Sequence, residues 1–156
     1  MQHDAASFRL NQKGIHMKTG ILIVIISLLV GCTDPIVMIP GGKLKGQVTG
    51  APSTWSKVPD VVQLEVQPSD PYSLNIWAVV SRGNLHVATR AAKWVPMLEA
   101  STAVRVKING KVYELQADRL TESSDLEDVA KAYLDKYELD EPMQPETSVY
   151  RLNARS

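Results

Sequence analysis

Alternation of apolar and polar residues predicts β-strands through most of this chain. Between Val61 and Gln67 the apolar residues alternate with Gln63 and Glu65, which indicates a half-buried strand with a polar face. The run from Leu74 to Val80 is apolar on both faces apart from Asn75, as expected of a central strand. These patterns predict a mainly β domain with a substantial core.

Turn residues divide the strands into hairpins. Ser81-Arg82-Gly83-Asn84 predicts a tight turn, and Asn109-Gly110 predicts a second one because both residues tolerate positive φ. Arg105 and Lys107 alternate with apolar neighbours and are expected to face solvent. The other predicted strands are Leu44 to Thr49, Leu85 to Thr89, Val104 to Ile108, Val112 to Leu120 and Ser148 to Ala154.

Two helices are predicted between these strands. Ala91 to Ala100 reads as a short helix, and Pro96 fits only near a first turn, so the regular part begins as late as Val95. Ser124-Asp125-Leu126-Glu127 matches a capping box that would start a longer helix ending near Tyr137.

One substantial helix cannot cover both faces of six strands. We therefore expect an α+β fold in which a six-stranded, mainly antiparallel sheet curls into a small barrel.

The N-terminus has the plan of a secretory signal. Lys18 precedes an apolar run, Ile21 to Val30, that leads into Gly31-Cys32. The twelve residues from Gly20 to Gly31 would span about 18 Å as a helix, which is too short to cross a hydrocarbon core of about 30 Å. Leu29-Val30-Gly31-Cys32 resembles the lipobox of bacterial lipoproteins. The resemblance implies cleavage after Gly31 and acylation of Cys32.

Three regions follow from this assignment. Residues 1–31 are expected to be a signal peptide, with 1–16 an artefact of start-site choice if Met17 is the true start. Residues 32–42, rich in proline and glycine, are expected to be a lipidated tether, and 43–156 the folded domain. The protein would then be lipid-anchored in the cell envelope and face the periplasm. In the lipoprotein family an aspartate directly after the cysteine often retains the protein in the inner membrane, so the resemblance, with Thr33 at this position, mildly favours the outer membrane.

Composition and the lack of known motifs argue against several classes of function. From Cys32 onward the chain has 14 Lys and Arg against 16 Asp and Glu, so it lacks the basic excess that nucleic-acid binding requires. Cys32 is the only cysteine, so a lipid there leaves no thiol for a disulfide, a metal or catalysis. One histidine in the domain and no thiolate argue against a metal site. None of the common hydrolase, protease or phosphate-loop motifs is present.

Several stretches resemble the split β-barrel flavin-binding proteins, the class of pyridoxamine-phosphate-oxidase-like and deazaflavin-dependent-reductase-like domains. The stretches are Asn75 to Val80, Gly83 to Val87, Lys93-Trp94, Val104 to Ile108 and Val149 to Leu152. The resemblance covers most of residues 60–155. It implies a split β-barrel, FMN or a related flavin as cofactor, and a homodimer that completes the site in many members.

The resemblance also implies a location for a cofactor phosphate. Its matching positions here are Arg90, Lys93 and Trp94, where the chain enters the short helix. Ala91 and Ala92 stand where members that bind flavin usually carry more basic and hydroxyl residues. The segment therefore departs from the pattern of a flavin site.

For each candidate residue, the sequence leaves a functional and a structural interpretation open. Arg90 and Lys93 beside a helix start favour an anion, or are two solvated charges. Tyr72, Trp77 and Trp94 are candidates to line a pocket for a planar ligand, although core packing is the commoner role and is expected for Trp77. His86 is a candidate base, but we expect a surface or hydrogen-bonded strand residue.

Two functions are consistent with these observations. The first is a membrane-anchored periplasmic lipoprotein whose barrel is a small-ligand-binding or envelope-interaction module. The second is a flavin-type oxidoreductase, in which the cofactor supplies the chemistry. The alanines in the phosphate segment, together with export from the cytoplasm, favour the first. The sequence leaves open whether the protein is an enzyme.

Overall fold

The computed structural model describes residues 41–155 of the chain. The signal peptide, Cys32 and most of the tether lie outside the described residues, so the assignments made for them stay predictions. Within 41–155, neither helix has the length and apolarity to span a membrane.

Seven strands and two helices make up the described domain. They are β1 (Gln47–Thr49), β2 (Val61–Val66), β3 (Tyr72–Ser81), β4 (Asn84–Thr89), α1 (Val95–Ala100), β5 (Ala103–Ile108), β6 (Lys111–Arg119), α2 (Ser123–Tyr137) and β7 (Ser148–Ala154). The late start of α1 at Val95 and the bounds of β7 confirm the sequence predictions.

Six of the strands form a closed antiparallel barrel. Its order is β6-β5-β2-β3-β4-β7, and β7 pairs again with β6, for example Ala117 with Leu152. This confirms the predicted six-stranded barrel with one short and one longer helix. The predicted strand Leu44 to Thr49 forms only as β1, outside the barrel order: it runs parallel to the first residues of β6, from Gln47 beside Lys111 to Thr49 beside Tyr113.

The two predicted hairpins form as expected. Arg82 and Gly83 have φ of 48° and 75°, and Asn109 and Gly110 have φ of 49° and 80°. Positive φ at both central residues matches the right-handed twist of the flanking strands. Alternate residues then point into the barrel, where they form the main core with α1. Buried members of this core include Val62, Leu64, Val66, Leu85, Val87, Trp94, Val104, Val106, Leu115 and Leu152.

Helix α2 covers the outer face of β3, β4 and β7. Val129 and Tyr133 on the helix pack against Val79 and Val149 on the strands. The predicted capping box is wrong, because α2 begins at Ser123 with Glu122 as an N-cap that makes no side-chain bond. Ion pairs to the barrel fix this end of the helix instead: Asp125 binds Arg151 and Arg82, each at 2.7 Å.

A buried ion pair lies on the opposite outer face of the barrel. Glu65 and Arg105 are direct partners in the β2–β5 ladder. Both were expected on polar, solvent-facing sides, but Glu65 is fully buried and Arg105 is 7% exposed. The N-terminal strap, residues 41–46, covers them. Arg105 Nη2 donates to Glu65 Oε2 at 2.7 Å and to the Leu44 carbonyl at 2.8 Å, while the Leu44 N–H donates to Glu65 Oε2 at 2.5 Å.

The start of the strap is bound to β3. Gly41 and Ser73 exchange two backbone hydrogen bonds of 2.7 Å, and Ser73 Oγ donates to the Gly42 carbonyl at 2.8 Å. A Cβ on Gly41 would lie 2.7 Å from Ser73 Oγ, so a side chain there would displace this hydroxyl and disturb its bond to the Gly42 carbonyl. These contacts also explain why β1 begins at Gln47 and not at Leu44: the Leu44 N–H is bound to a carboxylate and not to a neighbouring strand.

Removing Glu65 should destabilise the domain strongly. The substitution Glu65→Ala leaves the Arg105 guanidinium buried without its carboxylate and frees the Leu44 N–H, so we expect a loss of about 3–5 kcal/mol in the free energy of unfolding. Urea unfolding measures the loss.

Two further variants check that the cause is the buried pair. Gln63→Ala, an exposed position two residues earlier on the same face of β2, should change stability by less than about 0.5 kcal/mol. Replacing both Glu65 and Arg105 by leucine should be less damaging than Glu65→Ala, because no buried charge is left without a partner. Equal stabilities of Glu65→Ala and Gln63→Ala would contradict a structural role for the pair.

Candidate functional site

A cleft in the described domain lies between α2, the loop 138–147 and the neighbouring parts of β3 and β4. Its volume is about 560 Å³. Its lining residues are Trp77, Ala88, Thr89, Arg90, Ala130, Tyr133, Leu134, Leu139, Asp140, Glu141, Pro142, Met143, Gln144 and Thr147. The cleft therefore combines aromatic and aliphatic surface with charged and hydroxyl groups.

Trp77 is the largest aromatic group of the cleft. Its side chain is 49% exposed, so the expectation that it packs in the core is wrong. Trp77 lies on the same outer face of β3 as Val79, but α2 covers Val79 and only part of Trp77. The indole stacks on the Tyr137 ring with a centroid distance of 4.5 Å and an interplanar angle of 11°. The result is an aromatic surface that is half open to solvent.

Hydrogen bonds from α2 hold this aromatic surface in place. Tyr137 Oη accepts the Ala78 N–H at 2.9 Å and donates to the Asp60 carbonyl at 2.5 Å. Tyr133 Oη donates to the Trp77 carbonyl at 3.1 Å. Burial raises the pKa of Tyr137 to about 12 and also raises the pKa of Tyr133, so both phenols keep their protons at neutral pH. The aromatic group is therefore fixed to the backbone of β3 at two successive residues.

Lys136 connects the same region to the segment before β2. Its Nζ donates to the carbonyls of Val58, Pro59 and Ala78 at 3.1, 2.8 and 2.8 Å. Burial lowers the pKa of Lys136, while the Asp60 carboxylate, 3.7 Å away, opposes that shift. Three carbonyl oxygens match the three donors of an ammonium group. Lys136 is thus a structural cross-link behind the cleft.

The polar part of the lining comes mostly from the loop 138–147. Asp140, Glu141 and Gln144 belong to it. Arg90 faces this loop, is 64% exposed on its side chain, and has Nη1 3.5 Å from Glu146 Oε1. Arg90 precedes the first residue of α1 by five positions, so no helix N-terminus adjoins it.

The predicted site residues are not all brought together. Trp77 and Arg90 both line the cleft, whereas Lys93 is exposed and is not part of the lining. Trp94 is 3% exposed inside the barrel, with its ring centroid 6.2 Å from that of Tyr150. Tyr72 is partly buried against the same interior core.

Sequence reasoning missed the contribution of α2 and of the loop that follows it. Tyr133 and Tyr137 lie four residues apart and so share a helix face, with ring centroids 5.7 Å apart. This spacing was the available signal for a second aromatic pair. Nothing in the sequence indicated that the loop 138–147 would fold over Trp77, since that depends on the path of the chain from α2 to β7.

His86 lies in a separate, enclosed position under the other end of α2. It faces outward between Leu85 and Val87, as predicted, but it is 2% exposed and not a surface residue. A cavity of about 10 Å³ beside it, the volume of about one water molecule, is also lined by Asp125 and Arg151. Within the described residues His86 Nδ1 has no hydrogen-bond partner. Burial, and next the charge of Arg151, lower the pKa of His86 to about 4.

No group of three or more His, Cys, Asp or Glu side chains within 41–155 is placed to hold a metal ion.

The fold is similar to several solved structures. A protein of Listeria innocua to which pyridoxamine 5'-phosphate oxidase activity is attributed is 14% identical, with a TM-score of 0.52 over 63% of this chain and 86% of the other. A conserved hypothetical protein of Mycobacterium tuberculosis is 16% identical, with a TM-score of 0.52 over 63% of this chain and 74% of the other. An FAD-binding protein of Mesorhizobium loti is 17% identical, with a TM-score of 0.49 over 63% of this chain and 83% of the other.

The first two likenesses establish that this chain has a split-barrel fold. At identities this low they carry no information about activity. No family model matches the sequence, and no curated protein matches it.

Stability should depend on pH through His86. Its pKa of about 4 lies below the ordinary value of 6.5, so between these values the unfolded chain binds more protons than the folded one. The free energy of unfolding should therefore fall by about 3 kcal/mol as the pH is lowered through this window. Chemical denaturation of wild type and His86→Leu at pH 7 and pH 4.5 measures the effect. The variant should lose markedly less stability, and equal losses would contradict the assignment.

Proposed function

We propose that this protein is a lipid-anchored component of the bacterial cell envelope whose barrel binds a small planar molecule in the cleft beside Trp77. The observation that carries the proposal is a half-exposed indole, stacked on Tyr137, in the wall of a cleft of about 560 Å³. Small-molecule sites usually have volumes of about 300–1,000 Å³ and combine an apolar lining with a few polar groups.

Rigidity supports a binding role for this aromatic group. The backbone of Trp77 is bound through its carbonyl by Tyr133, and that of Ala78 is bound by Tyr137 and Lys136. A surface that is already ordered loses little conformational entropy when a ligand stacks on it.

The lipid anchor rests on the lipobox resemblance and on the connection to the strap. From Cys32 to Gly41 the chain can span at most about 30 Å. Since Gly41 is bound to β3, an acylated Cys32 would keep the barrel close to the membrane surface. A small-ligand module would then sample the periplasmic solution beside the membrane.

A flavin-type oxidoreductase is the second candidate. It is supported by the split-barrel fold and by the activity attributed to the Listeria innocua protein. The residues that the family resemblance assigns to a flavin phosphate do not fit that task here. Arg90 is paired with Glu146, Lys93 lies outside the cleft lining, and Trp94 is enclosed in the core. We therefore derive no redox step for this chain and favour the binding module.

Lipidation is tested at its single thiol. Wild type expressed in a bacterial host should incorporate radiolabelled palmitate and fractionate with membranes, whereas Cys32→Ala should do neither, because no other cysteine can form the thioether. Lys43→Ala, a substitution in the strap away from the lipobox, is the matched control and should keep the label. Equal labelling of wild type and Cys32→Ala would contradict the anchor.

Ligand binding is tested with planar probes. We expect at least one of riboflavin, FMN, nicotinamide and 1-methylnicotinamide to give saturable shifts of the Trp77 indole N–H resonance, which Trp77→Phe identifies. By calorimetry, Trp77→Ala should weaken that binding about tenfold, since stacking of a ring on an aromatic side chain is worth about 1–3 kcal/mol.

The control for this titration is Val61→Ala. Val61 is the direct partner of Trp77 in the β2–β3 ladder and is equally exposed, but it does not line the cleft. It should therefore leave the affinity unchanged. Equal binding by wild type and Trp77→Ala would place the site elsewhere. A flavin absorbance in protein purified from membranes would favour the oxidoreductase.

A further inference from the structure

The cleft carries a negative formal charge. Asp140 and Glu141 contribute to its lining, and Arg90 is its only basic lining residue among the described positions. Arg90 itself faces a third carboxylate, Glu146, at 3.5 Å. Because Glu146 offsets much of the Arg90 charge, the potential in the cleft is set mainly by Asp140 and Glu141.

The aromatic wall of the cleft also favours a positively charged ligand. The face of an indole ring is the negative part of its quadrupole, and tryptophan is the best of the aromatic residues for holding a cation. Trp77 presents this ring half exposed in the cleft. The carboxylates and the indole are independent features of the chain, one from the loop after α2 and the other from β3, and both attract positive charge.

Lys136, a basic group beside the aromatic stack, changes this balance little because its charge is bound elsewhere. Lys136 Nζ lies 5.2 Å from the centroid of the Tyr137 ring and gives its hydrogen bonds to three backbone carbonyls. It is not part of the cleft lining. The Asp60 carboxylate, 3.7 Å from Nζ, offsets part of the Lys136 charge.

We propose that the ligand class of this cleft is a planar cation, such as a pyridinium or an amine-substituted aromatic ring. This inference rests on the proposed function and specifies it. The ring would stack on Trp77, Leu139 and Met143 would supply apolar contacts, and the positive charge would face Asp140 and Glu141. A ring that carries a phosphate or a carboxylate would meet the same groups with the wrong charge.

Three probes with the same ring separate charge from shape. Nicotinate is anionic, nicotinamide is neutral and 1-methylnicotinamide is cationic, and each is titrated against wild type at low salt with the Trp77 indole resonance as readout. We expect 1-methylnicotinamide to bind on the order of tenfold tighter than nicotinamide, and nicotinate to bind more weakly than either. The preference should shrink in 0.5 M salt, because exposed charges are screened.

Variants then locate the source of the preference. Asp140→Asn with Glu141→Gln should reduce the preference for 1-methylnicotinamide over nicotinamide to less than about threefold. The matched control, Glu99→Gln with Glu127→Gln, removes two exposed carboxylates outside the cleft lining and should keep the full preference.

The outcomes distinguish this inference from the proposed function. Binding of nicotinate as tight as that of 1-methylnicotinamide would overturn the inference and leave a ligand site in place. A cation preference that survives the Asp140 and Glu141 substitutions would overturn it as well. If none of the three probes, riboflavin or FMN shifts the Trp77 resonance, the proposed function fails and this inference fails with it.

Discussion

The pairing of β6 with β7 is the constraint on which the rest of the structure depends. It closes the six-stranded sheet, so the barrel interior becomes a single core and every outward side chain must be covered from outside or left in solvent. The N-terminal strap covers one outer region over Glu65 and Arg105, and α2 covers another over Val79 and Val149. Trp77 lies at the margin of the α2 contact. Trp77 is half exposed because α2 does not extend over it completely, and the cleft forms at this uncovered position.

The strands and hairpins could be predicted from the sequence, because they depend on the periodicity of apolar residues and on the residues in the turns. Alternation marks the strands because a barrel interior selects every second residue, and Asn109-Gly110 marks a hairpin because both residues adopt positive φ. The sequence could not predict what covers an outer face. Glu65 and Arg105 have the pattern of solvent-facing residues and are buried by a strap twenty or more positions away. The exposure of Trp77 was missed for the same reason, since it depends on how far α2 extends over β3. Trp94 lies in the barrel interior and not in a pocket.

The candidate site follows from this architecture and departs from the site that the family resemblance implies. Helix α2 connects two regions of different chemistry, the enclosed His86 under its first half and the open cleft beside its second half. Of these two regions, the open cleft is the one that offers a ligand an aromatic surface and charged groups together. The hydrogen bonds of Tyr133, Lys136 and Tyr137 to the barrel backbone hold the aromatic side of this cleft in place.

The position of a bound ligand tests the central claim most directly. Intermolecular nuclear Overhauser effects from the N-methyl protons of 1-methylnicotinamide, measured on the wild-type domain, report the side chains within a few ångströms of its ring. We predict contacts to the Trp77 indole and to Leu139 and Met143 across the cleft. Contacts confined to Lys93 and its neighbours before α1, with none to Trp77, would contradict the account.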